Sequence, residues 1–375
     1  MKIPKILLIL LLFTLFFNIG YFYKYDSSNY AVASTTAVEV VDPIAQKIKK
    51  MTLEEKIGQM FLVGVYADNS NQILEDLIKS KKIGSVILMS KNVVGKNVSE
   101  VTSRLQSVST STNKIPLFIS IDQEGGIVAR IKEPGSNLTS QPEIKSSSQA
   151  YDVAKERGSE LVSKGVSVNF SPVLEYITAS SSFLYKRVFR GSKVDVISYG
   201  NSMVKGYRDS GIIPVIKHFP GHDNNSVDSH KSLPISKVTN KNFNEFTSVF
   251  RSVIKEENPP MIMMSHVFFP NIDKTYPATL SSTIVSKLRK EYGYKGIIIT
   301  DDMNMGAITK NYGVEKGAVR AVVAGNDLLL YVASVEVINK AQGALILVVK
   351  NKQLTEKRID ESVYRVLSLK ERLVK

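Results

Sequence analysis

The segment IIPVIKHFPGH, residues 212–222, passes from an apolar run into a polar cluster that is rich in histidine. The apolar half has the composition of a strand buried on both faces, which is typical of a parallel sheet. Three of the four histidines in the chain, His218, His222 and His230, lie in or just after this segment. The segment therefore predicts a parallel strand that carries polar groups to one end of a sheet.

Similar apolar runs recur along the chain and alternate with helical patterns. Eight candidate strands are found at residues 61–65, 85–89, 116–122, 167–174, 213–219, 261–269, 296–302 and 327–332. Such alternation predicts parallel βαβ units, and eight units in about 330 residues have the size of a single (β/α)₈ barrel. A doubly wound open sheet is the alternative, but no glycine-rich fingerprint follows the first strand.

Helical periodicity fills the intervals between the candidate strands. The predicted helices span residues 52–60, 72–81, 98–108, 150–164, 194–209, 242–256, 282–292, 314–324, 335–350 and 356–373. Each has apolar residues at the spacing of an amphipathic helix. We therefore expect a layer of helices outside the sheet, as in an α/β barrel of the triosephosphate isomerase type.

The first 25 residues have a different composition. A short basic head precedes an uncharged run, residues 6–23, which is close to the ~18 residues that span a bilayer and longer than the apolar core of most signal peptides. This pattern favours an uncleaved signal-anchor helix over a cleaved signal peptide. The basic head would stay in the cytoplasm and the remainder would be extracytoplasmic. We interpret residues 26–42 as a linker and residues 43–375 as the barrel domain.

The charge and cysteine content exclude several classes of protein. The net charge of +14 comes from lysines spread along the chain. The chain has no basic run with interleaved aromatic residues, so the sequence does not predict nucleic-acid binding. With no cysteine, the chain has neither disulfides nor thiolate metal sites. We expect a monomer that needs no metal or cofactor.

Polar residues end several of the candidate strands. They are Asp122, Lys217, His218, His266, Asp301 and Asp302. The active face of a (β/α)₈ barrel is built where its strands end, so these residues are candidates for function. Helix N-capping is the structural alternative and suits Asp302 best, but it does not explain four strands at once.

The histidine cluster is compatible with two kinds of chemistry. His218 and His222 have a spacing that binds metals on a helix, but Pro220 and Gly221 between them predict a turn, so this argument fails. Asp228 and His230 are two residues apart and can face the same side of an extended loop. The carboxylate then orients the imidazole for general acid–base work. Proton transfer is the favoured interpretation.

Carboxylates near Asp301 and near Asp122 complete the set of candidates. Asp301 and Asp302 are adjacent, so only one can face the mouth of a barrel, where it would act as a nucleophile, a base or a metal ligand. Asp122 and Arg130 flank a Gly-Gly turn. They form either a structural salt bridge or a site for sugar hydroxyls, which suit planar bidentate groups.

Taken together, these motifs resemble glycoside hydrolase family 3, and in particular its β-N-acetylglucosaminidase branch. The matching segments are TLEEKIGQMFLVGV (52–65), IDQEGG (121–126), NFSPVLE (169–175), KHFPGH (217–222), DSHKSLP (228–234), SHVFFPNID (265–273), PATLS (277–281) and TDDMNMGAI (300–308). The chain departs from the family pattern at several positions, among them Glu175, where an aspartate is usual. The resemblance covers residues 43–375.

The resemblance implies a role for each matching position. Asp301 would be the nucleophile, His230 the general acid–base and Asp228 the group that orients His230. The positions that would bind the terminal N-acetylglucosamine are Asp122, Arg130, Arg187, Lys217 and His218. Arg190 is an alternative to Arg187, and His222 would only support the loop.

The expected function is exo-acting, retaining hydrolysis of β-linked N-acetylglucosamine from peptidoglycan-derived or related glycans. Alternatives of the same fold are a β-glucosidase, a β-xylosidase or a glycoside phosphorylase. A non-catalytic module that binds the cell wall is an alternative of another class.

Overall fold

The computed structural model describes residues 42–224 and 227–373. One compact unit spans Pro43–Lys375 and is built on an eight-stranded parallel sheet. The strands are β1 (Phe61–Gly64), β2 (Ser85–Leu88), β3 (Phe118–Ile121), β4 (Val168–Asn169), β5 (Ile213–Phe219), β6 (Met261–Met264), β7 (Ile297–Thr300) and β8 (Leu329–Val332). The eight predicted strands are therefore confirmed.

The sheet closes into a barrel. Each strand pairs in parallel with the next along the chain from β1 to β7, and β8 pairs with β1 through Phe61↔Leu329 to Gly64↔Val332. On the remaining side, a single parallel bridge joins Ile299 to Leu328, the residue before β8. The predicted (β/α)₈ barrel is confirmed, and the open-sheet alternative is wrong.

Helices surround the strands. Those in the described residues are α1 (Pro43–Lys50), α2 (Leu53–Gln59), α3 (Ser70–Lys81), α4 (Ser90–Val93), α5 (Val98–Asn113), α6 (Ser147–Ser163), α7 (Lys193–Ser210), α8 (Phe243–Phe246), α9 (Ser248–Glu257), α10 (Ser282–Ser286), α11 (Gly306–Tyr312), α12 (Val314–Ala324), α13 (Val335–Lys350) and α14 (Glu356–Lys370). The predicted helix over 282–292 is divided, because α10 continues as a π-helical turn over Lys287–Glu291. The sequence patterns missed α1, α4 and α11.

The fourth strand is shorter than its apolar run. The sequence predicts a strand over residues 167–174, but regular pairing is confined to Val168–Asn169. Pro172 lies in the middle of the run and has no N–H to donate to a neighbouring strand. A bridge between Val173 and Lys217 resumes the pairing beyond it. The polar residues that follow β4 therefore stand on irregular backbone.

Side chains on successive strand residues point alternately into the barrel and toward the helices. Leu62, Ile87 and Phe118 belong to the interior cluster, whereas Val63 and Val86 pack against the surrounding helices. Filling both faces of the sheet with apolar groups accounts for the unbroken apolar runs in the sequence. The interior is a packed core, and polar groups collect at the carboxyl ends of the strands.

The predicted signal-anchor over residues 1–25 and most of the linker over 26–42 lie outside the described residues. Within residues 42–224 and 227–373, no helix has the length and hydropathy that crossing a membrane requires.

Candidate active site

A cavity of about 280 Å³ opens at the carboxyl ends of the strands. Seven of the eight site residues predicted from the sequence line it: Asp122, Arg130, Arg187, Lys217, His218, His230 and Asp301. The eighth, Asp228, is hydrogen-bonded to His230, which lines the cavity. Residues from distant parts of the sequence thus converge where the barrel fold predicts a site.

Lys217 forms the centre of an ion-pair network in the cavity wall. Its Nζ lies 2.8 Å from Oδ1 of Asp122 and 2.6 Å from Oε1 of Glu124, and the lysine is 2% exposed. Burial by itself lowers the pKa of Lys217, but the two carboxylates outweigh burial and raise it above the ordinary value. The lysine therefore remains a cation. Its position at the end of β5, beside residues that follow β3, fixes the network to the barrel.

Arg187 completes this network from the loop between β4 and β5. Its guanidinium donates two hydrogen bonds to Glu124, from Nε at 2.9 Å and from Nη2 at 2.7 Å. Burial raises the pKa of Glu124, but the charges of Arg187 and Lys217 bring it down to about 2. Arg190, the alternative considered from the sequence, instead stacks on the ring of Tyr185 at 3.5 Å. The structure thus places Arg187 at the cavity wall.

Arg130 lies on the other side of Asp122. Its Nη2 atom is 3.6 Å from Oδ2 of Asp122, which is beyond hydrogen-bonding distance. Its Nε atom is buried and finds no hydrogen-bond partner among the residues that the structure describes. The side chain of Arg130 is partly exposed and lines the cavity, so its guanidinium can donate to a ligand there.

His230 and Asp228 form a hydrogen-bonded dyad on the loop after β5. The ring Nδ1 of His230 lies 2.7 Å from Oδ1 of Asp228, and the side chain of His230 is 66% exposed. Burial raises the pKa of Asp228, but its hydrogen bonds from the backbone and ring of His230 bring it below the ordinary value. An ionised Asp228 accepts the Nδ1 proton, so Nε2 is the nitrogen that is free to exchange protons.

Asp301 follows β7 and presents a carboxylate to the cavity. Its Oδ1 atom accepts a hydrogen bond from the backbone N–H of Asp302 at 2.8 Å. Burial raises the pKa of Asp301, but the fields of His218 and His266 and that hydrogen bond lower it below the ordinary value. Asp301 is therefore a half-buried, ionised carboxylate, and the ionised state is the one that a nucleophile requires.

Asp302 also lines the cavity, but in a different state. Its Oδ1 atom accepts the backbone N–H groups of Asn304 and Val332, at 3.0 and 2.9 Å. Burial is the largest effect, and it raises the pKa of Asp302 to about 7. The helix that follows begins only at Gly306, so the capping interpretation of Asp302 is wrong.

Glu175 joins two of the histidines. Its Oε1 atom lies 2.9 Å from Nδ1 of His218 and 3.0 Å from Nδ1 of His222, and all three residues are buried. Burial raises the pKa of Glu175, but the two imidazoles hold it well below its usual range. An ionised carboxylate can accept a hydrogen bond from each Nδ1. His222 also lines the cavity.

Glu124 and Glu175 are the site residues that the sequence did not predict. Both lie within the quoted motifs, yet neither ends an apolar run directly. Glu124 is two residues after Asp122, so the two side chains lie on the same face of an extended segment. That spacing is the sequence signal that could have identified Glu124. His266 lies two residues after β6, near the strand end as expected from the sequence. Its Nδ1 lies 2.8 Å from Thr279 Oγ1 and its Nε2 lies 3.0 Å from the Asp302 carbonyl oxygen. It supports the backbone beside Asp301.

Carboxyl groups that face a common cavity are typical of enzymes that cleave glycosidic bonds. Comparison with known families agrees with this class. Residues 52–369 match the model of the glycosyl hydrolase family 3 N-terminal domain. The chain belongs to that family, and the resemblance seen in the sequence is confirmed.

Individual relatives support the assignment. Beta-hexosaminidase A of Pseudoalteromonas piscicida is 30% identical over 329 residues, which are 80% of this chain and 55% of that protein. Beta-hexosaminidase LpqI of Mycobacterium tuberculosis is 27% identical, over 84% of this chain and 82% of its own length. A solved family 3 β-N-acetylglucosaminidase from Paenibacillus sp. str. FPU-7 has a TM-score of 0.81 and 34% identity, covering 86% of this chain and 63% of that one. The chain thus spans little more than half of the first relative.

Proposed function

We propose that the protein is an exo-acting, retaining β-N-acetylglucosaminidase. The observation that carries the proposal is the pairing, in one cavity, of a half-buried ionised carboxylate, Asp301, with the Asp228–His230 dyad. One group can attack a sugar while the other transfers a proton. The relatives described as β-hexosaminidases and as a β-N-acetylglucosaminidase support the choice of sugar.

In the first step, an oxygen of Asp301 attacks the anomeric carbon. The bond between that carbon and the leaving oxygen breaks as Nε2 of the doubly protonated His230 gives its proton to the leaving oxygen. The products are a covalent glycosyl–Asp301 ester, an alcohol and a neutral His230. Asp228 keeps the Nδ1 proton in place, so that only Nε2 takes part.

In the second step, water replaces the departed alcohol. Nε2 of the neutral His230 takes a proton from the water, whose oxygen bonds to the anomeric carbon as the bond to Asp301 breaks. Both residues return to their starting states, and two inversions give net retention. A histidine here takes the place of the second carboxylate that most retaining glycosidases use.

The charged network at the cavity wall is proposed to hold the terminal sugar. Ligand cavities commonly measure roughly 300–1,000 Å³, and this one lies at the lower limit, which suits one sugar ring. Asp122 and Lys217 offer an acceptor and a donor to adjacent hydroxyls, with Arg130, Arg187 and His218 around them. Binding of a single ring in a small cavity suits removal of terminal residues.

We further propose peptidoglycan-derived glycans as substrates and an extracytoplasmic location. These proposals rest on the apolar segment at residues 6–23 and on the net charge of +14, which favours contact with anionic wall polymers. Protease accessibility of the barrel in intact cells would test the location. Protection of the barrel until the cells are lysed would contradict it.

The function is tested with 4-nitrophenyl glycosides of N-acetylglucosamine and of glucose, each with and without phosphate. We expect release of nitrophenol from the N-acetylglucosamine compound, independent of phosphate. Asp301→Asn should lower the rate by at least ~10³-fold, or about 4 kcal/mol, whereas the exposed control Asp152→Asn should not. Preference for glucose, dependence on phosphate or retained activity of Asp301→Asn would each contradict the proposal.

A further inference from the structure

Glu175, His218 and His222 form a compact cluster in the cavity wall. One possible ligand atom from each of these residues lies within 4.8 Å of the other two, and the residues are 3%, 5% and 1% exposed. Two imidazole nitrogens and a carboxylate oxygen are a donor set that suits zinc. The mechanism proposed above uses His218 to contact the sugar and gives Glu175 and His222 no chemical step.

One atom of the cluster points to a missing ligand. Glu175 Oε2 is buried and has no hydrogen-bond partner in residues 42–224 or 227–373. Buried polar atoms are nearly always paired, so an unpaired carboxylate oxygen beside two imidazoles is unusual. A bound cation would offset the burial of the Glu175 charge.

The backbone brings the two histidines together without a helix. Gly221 has a φ of +129°, which favours glycine, and a Cβ atom at this position would lie 3.0 Å from the ring of Phe246. The resulting turn places the rings of His218 and His222 edge to face, with their centroids 5.2 Å apart. Helical spacing of the two histidines did not predict a metal site here. Glu175, which would be the third ligand, lies 43 positions before His218 in the sequence.

We propose that Glu175, His218 and His222 bind a zinc ion through the carboxylate and the Nδ1 atom of each imidazole. Zinc holds such ligands tetrahedrally at about 2.0–2.2 Å, which separates them by about 3.4 Å. The present N···O separations of 2.9 and 3.0 Å need to grow by only about half an ångström to reach that value. Three protein ligands leave the fourth position open, and both histidines line the cavity.

Zinc binding would also change the hydrogen bonding of His218. When a neutral His218 donates a hydrogen bond from Nδ1 to Glu175, its Nε2 carries the lone pair. Zinc takes the Nδ1 lone pair, so the proton moves to Nε2 of the same ring and no proton is released. His218 then changes from a hydrogen-bond acceptor to a donor at its other nitrogen. This inference goes beyond the proposed hydrolysis and does not depend on it.

The first test is zinc binding by the metal-free full-length protein, measured by competition with a chromophoric chelator. We expect one zinc ion per chain at micromolar or lower concentration. Glu175→Gln and His222→Gln should each weaken binding by about 100-fold or more. The matched control His230→Gln removes the other cavity imidazole that contacts a carboxylate, and it should leave the affinity unchanged. Loss of binding in His230→Gln, or retention in His222→Gln, would overturn the proposal.

The second test uses the unmodified protein, so its result does not depend on whether a variant folds. The chain has four histidines, so ¹⁵N labelling of histidine gives four imidazoles to follow by NMR. Stoichiometric zinc should move two of them to the tautomer protonated at Nε2, with zinc on Nδ1, and should leave His230 and His266 unchanged. A shift confined to His230, or no shift until zinc is in millimolar excess, would overturn the proposal.

Discussion

His230 is bound twice to the same oxygen of Asp228. Its ring Nδ1 lies 2.7 Å from Oδ1, and its backbone N–H donates to that atom at 3.0 Å. The carboxylate is therefore fixed relative to the main chain of His230, and the ring is oriented by a turn of three residues. A histidine that is 66% exposed can in this way keep one tautomer while its Nε2 exchanges protons with substrate or water.

His230→Ala should remove protonation of the leaving group. The expected result is a loss of kcat/KM that is large for poor leaving groups such as alkyl alcohols and small for activated phenols, because the latter depart without a proton. A series of N-acetylglucosaminides with leaving groups of different acidity measures this. An equal loss across the series would contradict the acid–base role.

The loop that carries Asp228 and His230 contacts α11, the helix that follows Asp301. The backbone N–H of Gly306, in the first turn of α11, donates to the carbonyl oxygen of His230 at 3.1 Å. A Cβ atom on Gly306 would lie 2.9 Å from that oxygen, so only glycine allows this approach. The contact fixes the acid–base to the segment that carries the nucleophile.

Gly306→Ala should therefore displace His230 and lower kcat. A shift of about 1 Å costs up to about 10²-fold in rate. Gly343→Ala in α13 is the control, because a Cβ atom there has no neighbour within 4 Å among the described residues, and alanine favours the helix. A normal kcat for Gly306→Ala, measured beside the control, would show that the loop position is not limiting.

Lys217→Met tests the ion-pair network. The change leaves Asp122 and Glu124 without the lysine charge, and loss of a buried partner costs about 3–5 kcal/mol. We expect a value near the lower limit, because Glu124 keeps Arg187, together with an increase in KM. Urea unfolding measures the stability. Lys193→Met breaks the exposed pair with Glu245 and should cost far less, because solvent screens the two charges. Equal costs for the two variants would contradict the network.

Asp302 should make stability depend on pH. Its pKa of about 7 in the folded protein exceeds the ordinary value of 3.8. Its contribution is therefore complete below pH 4 and is lost as the pH rises through 7. The charged groups that affect it include Asp301 and His230, and Tyr331 lies nearby.

Comparison with Asp302→Asn isolates this effect, since asparagine can still accept both backbone hydrogen bonds. The variant should gain stability relative to the parent between pH 4 and 7, and the difference should be constant above pH 8. Urea unfolding across this range measures it. Parallel stability curves for the two proteins would show that Asp302 is not buried in its protonated form.

Much of the barrel could be predicted because each strand is buried on both faces. That burial requires the continuous apolar runs that mark β1 to β8, and the run at residues 213–219 coincides with β5. Departures arise where local chemistry interrupts the pattern. Pro172 shortens β4, and the short helices α4 and α11 contain too few residues to display a period.

The candidate site was predictable where a residue directly ends a strand or matches a family motif. Asp122, Lys217 and Asp301 are of this kind. Glu124 and Glu175 were not given roles, because their importance depends on partners far along the chain: Arg187 is 63 positions from Glu124, and His218 is 43 positions from Glu175. Sequence spacing does not reveal such contacts, and the folded barrel does.

Trapping the covalent intermediate tests most directly whether Asp301 is the nucleophile. A fluorinated N-acetylglucosamine donor with a good leaving group should accumulate a glycosyl-enzyme, and peptide mass spectrometry should locate it. We expect one sugar per chain on Asp301, and none in Asp301→Asn. A sugar on Asp302, or turnover without any covalent adduct, would contradict it.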